Sequence, residues 1–269
     1  MQKILLPLIL LSSLFTLLSC SDDDSTDAVK KNYVIVPGAW SAPFAWADVK
    51  SNLEKSGNTV VVVQLPGHGS DQTAPQTLTM DTYRDAVIDA MNTVNGKVIL
   101  VGHSMAGVVI SDVAEKVPSK IEKLVYVAAF VPLSGQSMLD WALTDTTSVT
   151  GSKLEPAEDG LTIGVNKDYI VEGFIQDGTA DEQNLTLSNY RTEPLQPLAN
   201  KVTLTAANYG SVTKVYIKTL NDQTVTPRLQ KRMLAATPSF QATYHLSTSH
   251  SPFLVKSDSV AILLKNIAK

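Results

Sequence analysis

The chain has 269 residues, of which 44% are hydrophobic and 18% charged, with 22 Lys+Arg against 26 Asp+Glu and one cysteine. This length fits one large domain or two small ones, and the apolar fraction excludes a mostly disordered chain. The net charge of −4 comes without a basic block. It argues against nucleic acid as a main partner, because phosphate binding needs clustered Lys and Arg. A single cysteine also excludes an intrachain disulfide and a metal site of several thiolates.

The first predicted element in the chain is an export signal over residues 1–19. One early charge, Lys3, precedes a leucine-rich run from Ile4 to Leu18 that is too short and too interrupted for a membrane span. The ending Leu-Leu-Ser before Cys20 resembles the bacterial lipoprotein signal, in which the cysteine is lipidated and becomes the mature N-terminus. An ordinary secretory signal that contains a cysteine is the alternative.

We therefore expect an exported bacterial lipoprotein. Acyl chains on Cys20 would hold it at the outer membrane, on the periplasmic or the cell-surface face, without a spanning helix. Residues 20–31 are polar and acidic, and we predict a flexible tether there. The segment from Ser21 to Asp24 resembles the acidic tag that sends some Gram-negative lipoproteins to the cell surface, and a solvated linker is the alternative.

Short apolar runs alternate with helical patterns in the rest of the chain. Such runs are typical of strands that are buried on both faces of a parallel sheet. They lie at residues 33–36, 60–63, 98–101, 124–127 and 215–217, with a further candidate strand at 240–246. Helices are predicted at 81–94 and near 258–268. The alternation predicts an α/β fold, a mainly parallel twisted sheet with helices on both faces.

Residues 134–205 interrupt this rhythm, because they are rich in Thr, Asp, Asn and Gly. We interpret them as a cap inserted over the sheet edge of one domain, residues 32–269, and not as a separate domain. Insertions at this position commonly form lids or pocket walls. The aspartates of the insertion are expected to be solvated, and they are Asp159, Asp168, Asp177 and Asp181.

The most informative motif is Gly-x-Ser-x-Ala around Ser104, which runs from Gly102 to Ala106. An apolar strand pattern precedes it and a helical pattern at 108–117 follows. This is the context of a nucleophile elbow, a strained turn that exposes a serine hydroxyl above the sheet. Ala106 adds one methyl group where the usual pattern has glycine. A serine in a tight turn with no chemistry is the alternative.

A serine nucleophile needs a base, and the base needs an orienting acid. In this kind of fold the chain order is Ser, then Asp or Glu, then His. His250 lies in a loop beyond the last predicted strand and is favoured over His245, which lies within that strand. Asp222 is the only carboxylate in the loop after the strand near 214–219. His68 is interpreted as a turn residue.

The negative oxygen that develops on a substrate needs preorganised N–H donors. The backbone N–H of Met105, directly after Ser104, is one candidate. The loop after the first strand, residues 37–40, supplies the other. We choose the N–H of Ala39 there, because Gly38 lets the backbone approach closely. An ordinary tight turn at Gly38 is the alternative.

Together these residues resemble the α/β-hydrolase superfamily, and within it the plant-type methylesterase and hydroxynitrile lyase group with its bacterial esterase relatives. The matching stretches span about residues 32–269 and are 36–40, 65–69, 101–105, 124–130, Asp222 with Gln230, and 249–253. The resemblance implies cofactor-free ester hydrolysis with Ser104, Asp222 and His250 as the catalytic triad. The backbone N–H groups of Ala39 and Met105 are then the oxyanion donors.

Carbon–carbon lyases of the same group carry Thr, Glu and Lys where this chain has Gly38, His103 and Ser251, so these positions favour an esterase. A departing cyanide also needs a nearby cation, and residues 247–253 contain none. The chain departs from the family pattern at Pro37, where His is usual. Proline removes an N–H and stiffens the oxyanion loop. Ala106 is the other departure.

We predict a serine hydrolase of the carboxylesterase type that cleaves small, largely uncharged esters through an acyl-enzyme on Ser104, with no metal or cofactor. Candidate residues for an apolar substrate pocket are Trp40, Phe130, Met138, Trp141 and Phe174. The alternatives are a lyase-like reaction, lactone or amide hydrolysis, and a non-catalytic surface protein that binds ligands on the same fold. The oligomeric state does not follow from the sequence.

Overall fold

The computed structural model describes residues 30–237 and 239–269, so the predicted signal and Cys20 lie outside the described residues. Its strands are β1 Asn32–Val36, β2 Thr59–Val62, β3 Val98–His103, β4 Ile121–Val127, β5 Leu154–Pro156, β6 Thr162–Val165, β7 Glu193–Pro194, β8 Lys214–Thr219 and β9 Phe240–Leu246. Its α-helices are α1 Ala47–Glu54, α2 Met80–Asn92, α3 Ala106–Lys116, α4 Met138–Ala142, α5 Ile170–Phe174, α6 Ala180–Asn189, α7 Leu195–Ala199, α8 Pro227–Ala236, α9 Pro252–Val255 and α10 Ser257–Ile267. None of these helices is long and apolar enough to cross a bilayer.

The main sheet has six strands in the order β2-β1-β3-β4-β8-β9. Every neighbouring pair is parallel. The central strand β3 is buried at every position, which is what its continuous apolar run predicts for a strand covered on both faces. The edge strand β9 alternates between half-buried and exposed residues. The predicted parallel sheet is confirmed, and β4 starts earlier than predicted, at Ile121.

Alternate side chains of each central strand face two separate core clusters. Val34 and Leu100 pack with residues of α2, α3 and α8 on one face of the sheet. Tyr33 and Ile99 pack with residues of α1 and α10 on the other face. Burying one large aliphatic side chain contributes about 1.5–3 kcal/mol. The helices therefore cover both faces, as the sequence predicts, and hold the sheet as a rigid base for its loops.

Two glycines follow the ends of the helices α1 and α2. Gly57 follows α1 with φ +81°, and Gly96 follows α2 with φ +91°. Glycine takes up these left-handed conformations without a steric penalty. Each turn returns the chain to a new parallel strand.

Within the described part of the chain, the predicted insertion forms a small layer of its own. Strands β5, β6 and β7 form an antiparallel sheet, and α4 to α7 lie in the same stretch of chain. The two ends of the insertion meet at an antiparallel bridge between Gln136 and Val202. The hydroxyl of Ser134 also accepts the backbone N–H of Leu204 at 2.9 Å. The limits of the cap at 134 and 205 stay a prediction.

Candidate active site

Ser104 lies at the turn between β3 and α3. Its φ is +54°, a left-handed conformation that costs a residue with a side chain about 1–2 kcal/mol. The turn is fastened on both sides, since the Ser104 N–H donates to the Val127 carbonyl at 3.3 Å. The Ser104 carbonyl accepts from the N–H groups of Gly107 and Phe130, each at 3.0 Å. The strand–turn–helix geometry expected of a nucleophile elbow is present, and Ser104 lines a cavity.

Close packing around this turn explains two of its small residues. A Cβ on Gly102 would lie 2.8 Å from the carbonyl oxygen of Ala106, and a Cβ on Gly107 would lie 2.1 Å from that of Phe130. Ala106 is fully buried with its methyl group in place. The tightest contact of α3 therefore falls on Gly107, against the segment that follows β4, one residue beyond the position that the motif reserves for glycine.

Asp222 and His250 meet across the loops that follow β8 and β9. His250 Nδ1 lies 2.8 Å from Asp222 Oδ2, and both side chains are buried. Asp222 Oδ1 accepts the backbone N–H groups of Thr224 and Val225 at 2.8 and 2.9 Å, and Oδ2 accepts the hydroxyl of Thr219 at 2.7 Å. These bonds fix the orientation of the carboxylate, and the carboxylate in turn orients the imidazole.

Gln230 on α8 supports the loop that carries Asp222. Its amide nitrogen donates to the carbonyl of Val225 at 2.7 Å and lies 3.4 Å from Asp222 Oδ2. Its amide oxygen accepts the backbone N–H of Thr219 at 3.2 Å. The family resemblance pairs Asp222 with Gln230, and these bonds give the physical reason for the pairing.

The second ring nitrogen of His250, Nε2, is buried and makes no hydrogen bond within the described residues. Because Nδ1 faces a carboxylate, the neutral ring carries its proton on Nδ1 and presents a lone pair at Nε2. His103, next to Ser104, donates from its Nε2 to the carbonyl of His250 at 2.9 Å. Ser104 and His250 therefore lie at the same end of the sheet.

His103 stays neutral beside this pair. Burial lowers the pKa of His103 well below its ordinary value, and the nearby His250 lowers it further. The bond to the His250 carbonyl places the ring hydrogen on Nε2. The centroids of the two rings are 4.5 Å apart. Because His103 is neutral, it places no positive charge beside His250.

The loop after β1 approaches Ser104 closely. A Cβ on Gly38 would lie 2.8 Å from both Ser104 Cβ and His103 Nδ1, so the approach requires glycine. Within the described residues, the backbone N–H groups of Ala39 and Met105 donate to no acceptor. Both are therefore available to a ligand.

Two cavities adjoin the site, and Trp40 lines both of them. The lining of the first includes Ala39, His103, Phe174, His250 and Ser251. The lining of the second includes Ser104, Phe130, Met138, Ala142 and Leu154. Of the predicted pocket residues, Trp40, Phe130, Met138 and Phe174 line a cavity.

Trp141 was also predicted as a pocket residue, and it lines neither cavity. Trp141 packs in the core, and the guanidinium carbon of Arg232 lies 5.7 Å from the centroid of its indole ring. The neighbouring Ala142 lines the second cavity instead. His245 lies on β9, as expected, and its side chain is exposed. Over residues 30–237 and 239–269, no group of three or more His, Cys, Asp or Glu side chains is placed to hold a metal ion.

The insertion contacts the loops that carry the site. The Phe174 ring lies 5.6 Å from that of Trp40 and 5.9 Å from that of His250, between centroids. Asp177 is exposed, as expected, but it also accepts the backbone N–H of Ser249 at 2.8 Å. The insertion therefore walls the site and also supports the loop of His250.

One buried carboxylate next to the oxyanion loop was not identified from the sequence. Glu193 in β7 accepts the backbone N–H of Trp40 at 3.0 Å, the hydroxyl of Tyr83 at 3.0 Å and His68 Nε2 at 2.8 Å. His68 does lie in a turn, as predicted, but it is buried and ion-paired. Glu193 precedes Pro194 in a polar segment, and no local pattern separates it from a solvated acid.

This parallel sheet with a serine elbow, a paired acid and histidine and an inserted cap is the architecture of an α/β hydrolase. The model described as the alpha/beta hydrolase family matches residues 33–261, so the chain belongs to that family. A chloroplastic protein of Arabidopsis thaliana, numbered 14 in the methylesterase series, is 30% identical over 261 residues, which cover 92% of this chain and 74% of the relative. The chain is an esterase-type α/β hydrolase of the plant methylesterase group, as the resemblance implies.

Solved structures share the fold. A variant of tomato methylketone synthase I in complex with beta-ketoheptanoate superposes with a TM-score of 0.80, covering 90% of this chain and 98% of that chain at 20% identity. Polyneuridine aldehyde esterase superposes with a TM-score of 0.77, covering 89% and 100% at 22% identity. At these identities the likeness establishes the fold, and the two names show that the fold alone does not select one reaction.

Proposed function

We propose that the chain is a serine carboxylesterase in which Ser104 is the nucleophile, His250 the general base and Asp222 the residue that orients it. The 2.8 Å hydrogen bond between Asp222 and His250 carries the proposal, because it leaves an unpartnered lone pair on His250 Nε2 near the Ser104 turn. No hydrogen bond joins Ser104 and His250 within the described residues. Such catalytic contacts are often long without substrate and tighten when it binds.

The reaction proceeds in two steps. Ser104 Oγ forms a bond to the ester carbonyl carbon, its proton moves to His250 Nε2, and the carbonyl π electrons move to the oxygen. The N–H groups of Ala39 and Met105 stabilise that oxyanion, and losing one such donor costs about 3 kcal/mol. The carbon–oxygen bond to the alcohol then breaks, and the alcohol leaves with the proton from His250. Water repeats the sequence on the acyl-enzyme and releases the acid.

The two cavities suggest which part of the ester each accepts. The alcohol must leave beside His250, which protonates it, so the cavity that contains His250 suits the alcohol. The acyl group stays on Ser104, in the cavity lined by Phe130, Met138 and Leu154. We infer a substrate with an apolar acyl group and a small alcohol, and the relatives named methylesterases support a methyl ester.

A cyanide-releasing lyase is the second candidate from the family, and the charges of the site disfavour it. No Lys or Arg is among the described residues that line the two cavities. Gly38, His103 and Ser251, where lyases of the group carry Thr, Glu and Lys, all lie beside the site. Departing cyanide would therefore lack a cation to stabilise it.

The mature protein incubated with a panel of small esters, lactones, amides and cyanohydrins tests the reaction class. We expect turnover of methyl and aryl esters, and Ser104→Ala is expected to lose at least about a thousandfold of it. If the alanine variant keeps most of the ester hydrolysis, Ser104 is not the nucleophile. Saturable binding without turnover across the panel would instead indicate a ligand-binding protein.

A cavity-filling variant tests the acyl site. Ala142 lines the cavity of Ser104, so Ala142→Phe should lower kcat/KM for long acyl chains about tenfold or more and spare acetyl esters. Leu143, its neighbour, is 76% exposed, and Leu143→Phe is the matched control that should leave the chain-length profile unchanged. An unchanged profile in Ala142→Phe would place the acyl group elsewhere.

A further inference from the structure

Glu193 joins the insertion to the oxyanion loop through one side chain. It lies in the short strand β7 and is fully buried. Its Oε2 accepts the backbone N–H of Trp40 at 3.0 Å, and its Oε1 accepts the hydroxyl of Tyr83 at 3.0 Å. A buried carboxylate that lacked such donors would be strongly destabilising. The bonds therefore hold the loop and the insertion in one arrangement.

His68 supplies the charge that balances this carboxylate. Its Nε2 lies 2.8 Å from Glu193 Oε2, and its Nδ1 lies 3.1 Å from the carbonyl oxygen of Pro66. Both ring nitrogens face acceptors, and each must donate a hydrogen to make its bond. The ring is therefore the doubly protonated imidazolium. Glu193 thus forms a buried ion pair and is not an isolated anion beside the oxyanion site.

The Trp40 N–H that Glu193 accepts belongs to a strained part of the loop. Trp40 has φ +57°, a strained conformation that persists only where neighbours enforce it. The indole N–H is also held, by the carbonyl of Ile163 at 2.9 Å. Both anchors come from the insertion, and Trp40 directly follows Ala39. Their loss would free the backbone next to Ala39.

We propose that Glu193, neutralised by His68, is a positioning residue that holds the Ala39 N–H in place for the oxyanion. This inference rests on the proposed esterase function. A displacement of about 1 Å at a reacting group can cost on the order of a hundredfold in rate. The effect belongs to the tetrahedral intermediate and not to the bound ester, because only the intermediate carries the negative oxygen.

The variant Glu193→Gln tests the proposal with a side chain of the same size and no charge. On a short activated ester we expect kcat to fall at least about tenfold while KM stays within about twofold. A trifluoromethyl ketone with a phenyl group is the second probe. Ser104 Oγ bonds to the carbonyl carbon of the ketone, the serine proton moves to His250, and the ketone oxygen becomes an oxyanion. The affinity of the protein for this ketone should fall by the same factor as kcat.

Glu115→Gln is the matched control. Glu115 also ties a loop at the end of the insertion to the core, since it accepts the backbone N–H groups of Thr205 and Tyr209 at 2.8 and 3.2 Å. It lies on α3 away from the oxyanion loop and should leave kcat and the ketone affinity unchanged. A folded Glu193→Gln variant with wild-type kcat and ketone affinity would overturn the proposal.

Two further measurements keep this result separate from folding and from the proposed function. If Glu193→Gln does not fold, Glu193→Asp keeps the charge but shortens the side chain that holds the Trp40 N–H, and we expect the same loss of kcat. Amide hydrogen exchange of the Trp40 segment should accelerate in either variant, whether or not esters are turned over, and unchanged exchange would overturn the proposal. If the wild type shows no ester turnover that depends on Ser104, the proposed esterase function is wrong.

Discussion

Within residues 30–237 and 239–269, three residues with side chains hold left-handed backbone conformations, and all three follow strands at the site end of the sheet. Trp40 follows β1, Ser104 follows β3 and Ala128 follows β4, with φ between +47° and +57°. Each costs of order 1–3 kcal/mol and is held by specific bonds, such as that from the Ala128 N–H to the Ile217 carbonyl at 3.0 Å. The strain is therefore concentrated where the N–H donors and the serine hydroxyl must be aimed.

The acid of the triad is expected to act through the orientation of His250. In Asp222→Asn the amide can no longer accept at both oxygens, so the imidazole loses the partner that fixes its proton on Nδ1. We expect kcat to fall by about three to four orders of magnitude, in line with the effect known for the serine proteases. Circular dichroism controls for the fold. A loss below about tenfold would separate Asp222 from the mechanism.

Gly38 gives a steric prediction at the same scale. A Cβ there would lie 2.8 Å from Ser104 Cβ and 3.0 Å from the carbonyl oxygen of His103, so Gly38→Ala must push the oxyanion loop away. We expect kcat to fall about tenfold or more with a smaller change in KM. Gly164→Ala is the control, because its Cβ would meet ordinary contacts at 3.4 Å. Equal activity of both variants would contradict the close approach.

Residues that act in the chemistry were predictable where a motif or a chain order constrains them. Ser104 stands in a strand–turn–helix pattern, and Asp222 and His250 follow strands in the order that the fold requires. Glu193 and His68 are 125 positions apart, and each stands in a segment that reads as an ordinary turn or loop. Their pairing is a property of the folded insertion and leaves no local signal.

Among the structural elements, the insertion walls the active site and also contributes Glu193 to a buried ion pair with His68. Burial lowers the pKa of His68, but the carboxylate of Glu193 and the carbonyl of Pro66 outweigh burial and the opposing charge of Arg191. The net pKa of His68 is therefore raised above 6.5. A raised histidine pKa means that the folded state binds the proton more tightly than the unfolded state.

The sign of this shift predicts a pH dependence of stability. The contribution of His68 is fully present below about pH 6.5, the ordinary histidine pKa, and is lost as pH rises through the raised pKa of the folded state. We expect the free energy of unfolding of the wild type, measured in urea, to exceed that of His68→Gln by a larger amount at pH 6 than at pH 9. A difference that is constant or grows with pH would mean that His68 is neutral in the folded protein.

Elements were predictable to the extent that their burial pattern is periodic. The strands of the parallel sheet are covered on both faces and appear as continuous apolar runs. The insertion lacks such runs, because its short helices and strands pack against loops with a few side chains each. In α6, for example, no residue is buried. Its antiparallel sheet β5-β6-β7 was therefore not predicted.

At the scale of the whole molecule, the hydrolase domain is expected to be tethered to a membrane through Cys20. Radiolabelled palmitate should enter the full-length protein expressed in a Gram-negative host, and the protein should sediment with membranes. Cys20→Ser removes the acceptor thiol, so the label should be lost and the domain should become soluble after export. Export without label in the wild type would indicate an ordinary secretory signal.

The indole of Trp40 lines both cavities, so the two cavities adjoin each other at this side chain. This arrangement bears on which nucleophile takes the acyl group from Ser104. While the acyl chain occupies one compartment, the other is open to any small alcohol. Added ethanol is expected to compete with water for the acyl group, so that transesterification accompanies hydrolysis. When breakdown of the acyl-enzyme limits turnover, the rate of ethyl ester formation should level off as ethanol increases, because the compartment saturates. A rate that stays proportional to ethanol would indicate capture directly from bulk solvent.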